Sequence, residues 1–248
     1  MALLWQKRMG GSLYQVRSHG ASVRLYSNGV FHSQWNSRDP LKGSLWELLL
    51  LPAFFLPEHR IRSVLLLGVG GGALIRLLQQ FFQPDRIVGV DLDATHLRIA
   101  RKYFGVRDAE LVCADADSFV SSQLDSGESV SFDLIVDDLF GHGTGEPERT
   151  VAADRPWCEK LLRLLHSDGL LVSNFASRRE LLSSGWRDQR VRAQLRDCWT
   201  GDLPGYDNSV LAVSRQSLSL ADLAARAPDK INPRNPFRRL DCRLRRLP

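Results

Sequence analysis

The sequence predicts an α/β fold, a parallel sheet with helices on both faces, preceded by a small N-terminal β-hairpin unit. Three observations carry this. From Val64 to Asn174 short apolar runs alternate with helix-period segments, the pattern left by strand–helix–strand crossovers. Between Val64 and Asp91 a strand meets four glycines, Gly68, Gly70, Gly71 and Gly72, and then a helix, so the backbone can approach a ligand closely and offer it free N–H groups. Upstream, His19-Gly20 and Asn28-Gly29 punctuate strand-forming residues, and Asn-Gly between alternating apolar residues is a strong hairpin signal.

Each element follows from its own pattern. Leu13 to Arg17, Val23 to Tyr26 and Val30 to Ser33 are expected as strands, and residues 43–56 as a helix capped by Ser44 and bent or restarted at Pro52. The sheet then alternates: strand Val64–Leu67, helix Ala73–Phe82, strand Ile87–Val90, helix Ala94–Phe104, strand Ala109–Cys113 and a short helix near Ser118–Leu124. Strand Asp133–Val136, a glycine-rich loop over 141–145, helix Pro156–Leu165 and strand Gly169–Asn174 complete the alternation. Residues 178–198 are expected to be helical, broken at Gly185, and Ser209–Ser214 to be a late strand. The implied organisation is a β unit over 1–42, a cofactor-binding and catalytic domain over 43–224, and a basic Pro/Arg-rich tail over 225–248 with no assigned structure.

Composition narrows the classes. A chain of 248 residues with 44% hydrophobic content can bury a full core. Four scattered cysteines without CxxC spacing argue against a disulfide framework or a zinc ribbon and fit a cytoplasmic setting. No leader or membrane span is expected, because LWELLLLPAFFL is short and holds Glu47 and Pro52. The net charge of +5 is modest, and much of it sits in Arg234, Arg238, Arg239, Arg243, Arg245 and Arg246, so a tail that is solvated or packed on an acidic face is favoured over nucleic-acid contact.

The chemistry converges on the strand ends. Gly68, Gly70 and Ala73 fit a GxGxxG/A turn with Asp91 about 20 residues beyond, which suits a dinucleotide or an adenosyl-sulfonium cofactor. Cys113-Ala114-Asp115-Ala116 after the third strand and Asp137-Asp138 after the fourth add acids at the ligand rim of the sheet. Asp137, Asp138 and His142 are the candidate catalytic bases, since all three sit on the loop after the fourth strand and an imidazole titrates near neutrality. His96 and His166 are expected as cap or surface residues, and Trp46, Trp157, Trp186 and Trp199 as packing residues. There is no GxSxG elbow and no His/Cys set with metal spacing.

The runs VLLLGVGGGALIRLL, VGVDLDATHLRIARKYFG, AELVCADADSFV and FDLIVDDLFG, with SLYQVRSHGASVRLYSNGVFHS upstream, resemble the spermidine synthase family. The resemblance implies a Rossmann-like class I methyltransferase sheet binding S-adenosylmethionine or its decarboxylated form, a small-molecule acceptor, and a homodimer. It places Asp91 at the ribose, Asp115 with Ala116 at the adenine, Gly68, Gly70, Gly71 and Gly72 at the aminoacyl end, and Gln15, Leu92 and Asp137 beside the cofactor. Two positions depart from the polyamine-synthase pattern. Phe140 stands where the family has a second acid after the fourth strand, and Leu45-Trp46-Glu47 keeps only the glutamate of a Tyr-His-Glu cluster. A protonated diamine needs acceptors that these residues do not supply, so methyl transfer is expected over aminopropyl transfer. Aminopropyl transfer, a non-catalytic cofactor-binding role and a nicotinamide dehydrogenase are the alternatives.

Overall fold

A computed structural model of the chain describes residues 1–126, 130–141 and 148–247. The expected α/β sheet is present, as is the N-terminal β unit, which is larger than a hairpin. Strands β1 (Ala2–Met9), β2 (Ser12–His19), β3 (Ser22–Ser27) and β4 (Val30–Asn36) form an antiparallel four-stranded sheet in sequential order. β1 escapes prediction because ALLWQKRM has no period-2 alternation. It is an edge strand exposed along most of its length, so no buried face shaped its sequence.

Helix α1 (Leu45–Leu50) follows, and a 3-10 turn over Leu51–Phe55 continues it through Pro52. Its N-terminus is a capping box in which the carboxylate of Glu47 accepts from the backbone N–H and hydroxyl of Ser44. The main sheet is built from β5 (Ser63–Leu67), α2 (Ala73–Phe81), β6 (Arg86–Asp91), α3 (Ala94–Tyr103), β7 (Glu110–Cys113), α4 (Ala116–Asp125) and β8 (Phe132–Asp137). Two-residue strands β9 (Phe140–Gly141) and β10 (Glu148–Arg149) pair with each other, and α5 (Arg155–Leu164) leads into β11 (Leu165–Phe175). Short helices α6 (Arg178–Ser183) and α7 (Gln189–Arg192) then precede β12 (Asp197–Asp202), β13 (Ser209–Ser214), α8 (Leu220–Arg226) and β14 (Arg243–Arg246).

The eight strands lie in the order β14-β12-β13-β11-β8-β5-β6-β7. β11, β8, β5, β6 and β7 are parallel, while β13, β12 and β14 add antiparallel to one edge. The chain leaves β5 toward β6 and β7, then returns to place β8 and β11 on its other side. The point of reversal lies between β5 and β8, where open α/β sheets bind their ligands. Alternation along β5 shows why both faces are covered. Val64 and Leu66 pack into one core with α1, α2 and the N-terminal sheet, and Leu65 and Leu67 into the other with α4 and α5.

Two expectations need correction. The helical region expected to reach Cys198 ends at Arg192, and Asp197–Asp202 is a strand that pairs with β13 and β14, a long-range contact that local propensity does not register. The break at Gly185 is steric, since a Cβ there would meet the Asp154 carbonyl carbon at 2.3 Å. The C-terminal segment, expected without structure, is anchored. Ile231, Leu240, Cys242 and Leu247 are buried, Arg239 pairs with Asp39 at 2.5 Å, and the Arg246 Nε donates to Asp197 at 2.7 Å. Several of the arginines thus sit on acids of the same chain. Leu240→Ala should lower stability by about 2–5 kcal/mol, the cost of a buried leucine cavity; a urea titration showing a change within about 0.5 kcal/mol would mean the segment is not packed.

Candidate active site

The glycine turn between β5 and α2 has two halves with different work. Gly68 takes φ +89°, and a Cβ on it would lie 2.0 Å from the Asp138 carbonyl oxygen, so only glycine lets β5 and β8 end this close together. Gly70, at φ +52°, sits 3.0 Å beneath the His32 carbonyl by the same measure. Gly71 and Gly72 face away from the open space: a Cβ on Gly71 would strike Phe104 and Ser33, and one on Gly72 would strike Val106. These two pack α2 against the N-terminal sheet and the segment after α3.

Asp91, at the end of β6, closes the turn. Its Oδ2 accepts from the N–H groups of Val69 at 3.0 Å and Gly70 at 2.8 Å, and its Oδ1 from the N–H of Asp93 at 2.8 Å. His96, buried on α3, puts Nδ1 3.7 Å from Asp91 Oδ1 and Nε2 2.9 Å from the Ser27 hydroxyl. Burial opposes ionisation of both groups, yet the hydrogen bond and opposite charge between them outweigh it, holding the Asp91 carboxyl below its usual range and raising the His96 imidazole. Asp93 caps α3 by accepting from the Thr95 N–H at 2.7 Å, and takes the Tyr14 hydroxyl at 2.6 Å. Burial, together with Asp93, pushes the Tyr14 hydroxyl up to about 12.

The two acids after β8 divide sharply. Asp137 is fully buried, and its Oδ2 accepts from Arg149 Nη2 at 2.5 Å, the Ser173 hydroxyl at 2.7 Å and Trp157 Nε1 at 3.2 Å. Arg149 in turn donates to the Asn174 carbonyl at 2.7 Å and lies over the Phe175 ring. This pair ties β8, β10, α5 and β11 together beneath the surface, and Asp137 lines neither cavity described below. Asp138 faces the open side. Asn174 Nδ2 donates to its Oδ1 at 2.8 Å, and Asn208 Nδ2 donates to Asn174 Oδ1 at 3.1 Å, which fixes which end of the Asn174 amide faces the acid. Burial pushes the Asp138 carboxyl up to about 6, with the charges of Asp137 and Asp91 adding to the effect against the Asn174 hydrogen bond.

Two adjoining cavities share Gly68, Asp91, His96 and Phe140. One, of about 350 Å³, is lined by Tyr14, Leu92, Asp93, Ala94, Leu139 and Thr150 besides those four; Leu92 is 73% exposed and offers a flat apolar platform. The other, of about 300 Å³, is walled by Phe31, Trp46, Phe140 and Tyr206 and carries Asp138, Asn174 and Asn208. Of the residues singled out from sequence, Gly68, Gly70, Asp91, Leu92 and Asp138 line these cavities. Gln15 does not, because strand alternation turns Tyr14 inward and leaves Gln15 to bond with Gln6 at 2.8 Å and Arg17 at 2.8 Å. Asp115 and Ala116 lie at the start of α4, where Asp115 is exposed and caps the helix through the Ser118 N–H at 2.9 Å; neither lines a cavity. His142 lies outside the described residues.

Sequence reading passed over Tyr14, His32, Asn174, Tyr206 and Asn208, and it took His96 for a cap or surface residue, whereas His96 is buried beneath the N-terminal sheet and lines both cavities. His96 carried a signal, a histidine five residues beyond the strand-end acid and one helical turn from Asp93. Asn174, Tyr206 and Asn208 carried none, since they come from the far end of the sheet.

A family model described as a methyltransferase domain matches residues 64–169. A polyamine aminopropyltransferase of Aeropyrum pernix is 32% identical over 173 residues, which cover 64% of this chain and 52% of that protein. A probable spermidine synthase from Corynebacterium glutamicum superposes with a TM-score of 0.73 at 17% identity, covering 91% of this chain and 86% of that one. The chain has the class I methyltransferase fold and is similar to spermidine synthases in sequence and architecture. Human methyltransferase-like protein 13, solved in complex with SAH, also superposes, with a TM-score of 0.59 at 19% identity over 73% of this chain and 87% of that one. This spermidine synthase-like chain spans about half the length of the Aeropyrum relative. Among the described residues no helix is long and apolar enough to cross a membrane.

Two measurements separate the acids of this spermidine synthase-like protein. Asp137→Ala strands Arg149 in the core, and the urea midpoint should report a loss of about 3–5 kcal/mol. For Asp138 the sign is opposite. Its folded pKa of about 6 lies above the ordinary 3.8, so the folded state holds the proton more tightly and stability falls as pH rises through that interval. Asp138→Asn should remove this decline from the stability–pH curve; a curve parallel to wild type would contradict the burial of Asp138.

Proposed function

We propose that the protein binds S-adenosylmethionine and transfers its methyl group to a small-molecule acceptor. The observation that carries this reading is the pair of joined cavities meeting at Gly68 and Asp91, one adding Asp93 and an apolar platform, the other aromatic and adding Asp138. The chain's own features fit the adenosyl group. Gly68 and Gly70 line the space with bare backbone, Asp91 and Asp93 offer acceptors beside it, and exposed Leu92 covers one side of it. The cofactor supplies an electrophilic carbon beside a sulfonium, so the protein's part is alignment and, for a protonated nucleophile, a base. Asp138, with a carboxyl near 6 and Asn174 fixing one oxygen, is ionised at neutral pH and suits that part. The SAH complex of the human neighbour supports the cofactor class.

Methyl transfer is favoured over aminopropyl transfer by the fate of Glu47. Its carboxylate is 3% exposed and accepts from the Lys42 N–H at 3.2 Å as well as from Ser44, so it serves the start of α1 and not the cavity. The aminopropyltransferase named among the relatives keeps the second reading in play. Calorimetry with S-adenosylhomocysteine tests the cofactor, and absence of binding at millimolar ligand would end the methyl-transfer reading. Incubation with putrescine and either S-adenosylmethionine or its decarboxylated form tests the reaction. No spermidine is expected from either mixture, and spermidine formed from the decarboxylated cofactor would overturn methyl transfer in favour of aminopropyl transfer.

A further inference from the structure

The aromatic cavity limits what can sit beside Asp138. Among the described residues no lysine or arginine lines it, and its ionisable side chains include Asp138, Asp91 and two imidazoles, His32 and His96. Asp91 and His96 offset each other at 3.7 Å, and Asp138 is the remaining acid of the lining. Around it stand four aromatic rings. Phe31 is held edge-on by Trp46 at 5.1 Å and stacked on Tyr26 at 5.2 Å, so its orientation is fixed. Phe31 and Tyr206 are each 37% exposed, so part of each side chain remains open to a ligand. An acid among aromatic faces attracts a cation by charge and by the ring quadrupoles together. Asp138 Oδ1 is engaged by Asn174, while Oδ2 has no hydrogen bond to the described residues and is the acceptor left for a ligand.

The same wall refuses a second charge. Across the cavity from Asp138 a ligand meets Val30, Phe31, Leu45 and Trp46, and the nearby acid, Glu47, is committed to the α1 capping box. On that wall a second ammonium would lie against hydrocarbon with no carboxylate among those four residues, at the large cost of an unpaired charge. A volume of about 300 Å³ is at the small end for ligand sites. We propose that the acceptor is a monoamine, one cationic nitrogen seated on Asp138 with a small apolar body against Phe31, Trp46 and Tyr206, and that diamines are selected against. This rests on the reading that the aromatic cavity is the acceptor side of the cofactor site.

The test is binding to the full chain, by calorimetry with and without S-adenosylhomocysteine, of three probes: phenethylamine, its neutral isostere 2-phenylethanol, and putrescine. Phenethylamine is expected to bind at least tenfold more tightly than either of the others. Asp138→Asn should erase its advantage over 2-phenylethanol, while Phe31→Ala should weaken both phenyl probes and leave S-adenosylhomocysteine binding unchanged. Putrescine binding as tightly as phenethylamine would overturn the proposal, as would the alcohol matching the amine or no phenethylamine binding at millimolar concentration. Failure of S-adenosylhomocysteine alone would count against the cofactor reading, and the amine titration on the free protein would still decide this one.

Discussion

The Asp91 carboxylate holds the ends of two strands in one place. By accepting from Val69 and Gly70 on one oxygen and from Asp93 on the other, it draws the glycine turn after β5 against the end of β6. A lone carboxylate at this depth would be costly, and His96 offsets the charge from the next helix. Tyr14 and Ser27 of the N-terminal sheet then bond to Asp93 and His96, so the same cluster seats that sheet over the cofactor side. The shape of both cavities follows from this one knot of hydrogen bonds.

Adjacent acids in the sequence have opposite fates because strand pleating points them apart. Asp137 is the last residue of β8 and turns into the core, where Arg149, Trp157 and Ser173 meet it. Asp138 follows in the loop and faces open space, tethered by an amide chain that begins at Asn208, just before β13. One acid builds the platform and the other is presented on it. A carboxyl near 6 is what partial enclosure by apolar walls and nearby like charges produces, and it leaves Asp138 ionised yet weakly solvated at neutral pH.

The aromatic cavity is assembled from parts distant in the chain. Phe31 comes from β4, Trp46 from α1, Phe140 from β9, and Tyr206 from the connection between β12 and β13. Its character is set as much by what is turned away as by what lines it. Glu47 would give this wall a second carboxylate if its side chain faced the cavity; as a helix cap it leaves the wall apolar.

Much of this protein was written in local sequence. The strand–glycine–helix run over Val64–Asp91, the acid at the end of β6 and the acids after β8 were legible because a parallel sheet wound by helices imposes a short, regular pattern of apolar runs and turns. The N-terminal strands β2 to β4 were legible through Asn-Gly and alternation; β1 was not, because an exposed edge strand needs no pattern. Sequence also located Asp138. It could not separate Asp138 from Asp137, nor Gly68 and Gly70 from Gly71 and Gly72, since which side a backbone atom faces depends on contacts with Arg149, Phe104 and Val106. Gln15 and Tyr14 exchanged roles for the same reason, a one-residue difference in strand facing. The anchored C-terminal segment, the Asn208–Asn174–Asp138 chain and the aromatic wall join residues separated by tens to hundreds of positions. Periodicity and turn chemistry act over a few residues, so the sequence alone determined the cradle, and only tertiary contact decided what faces into it.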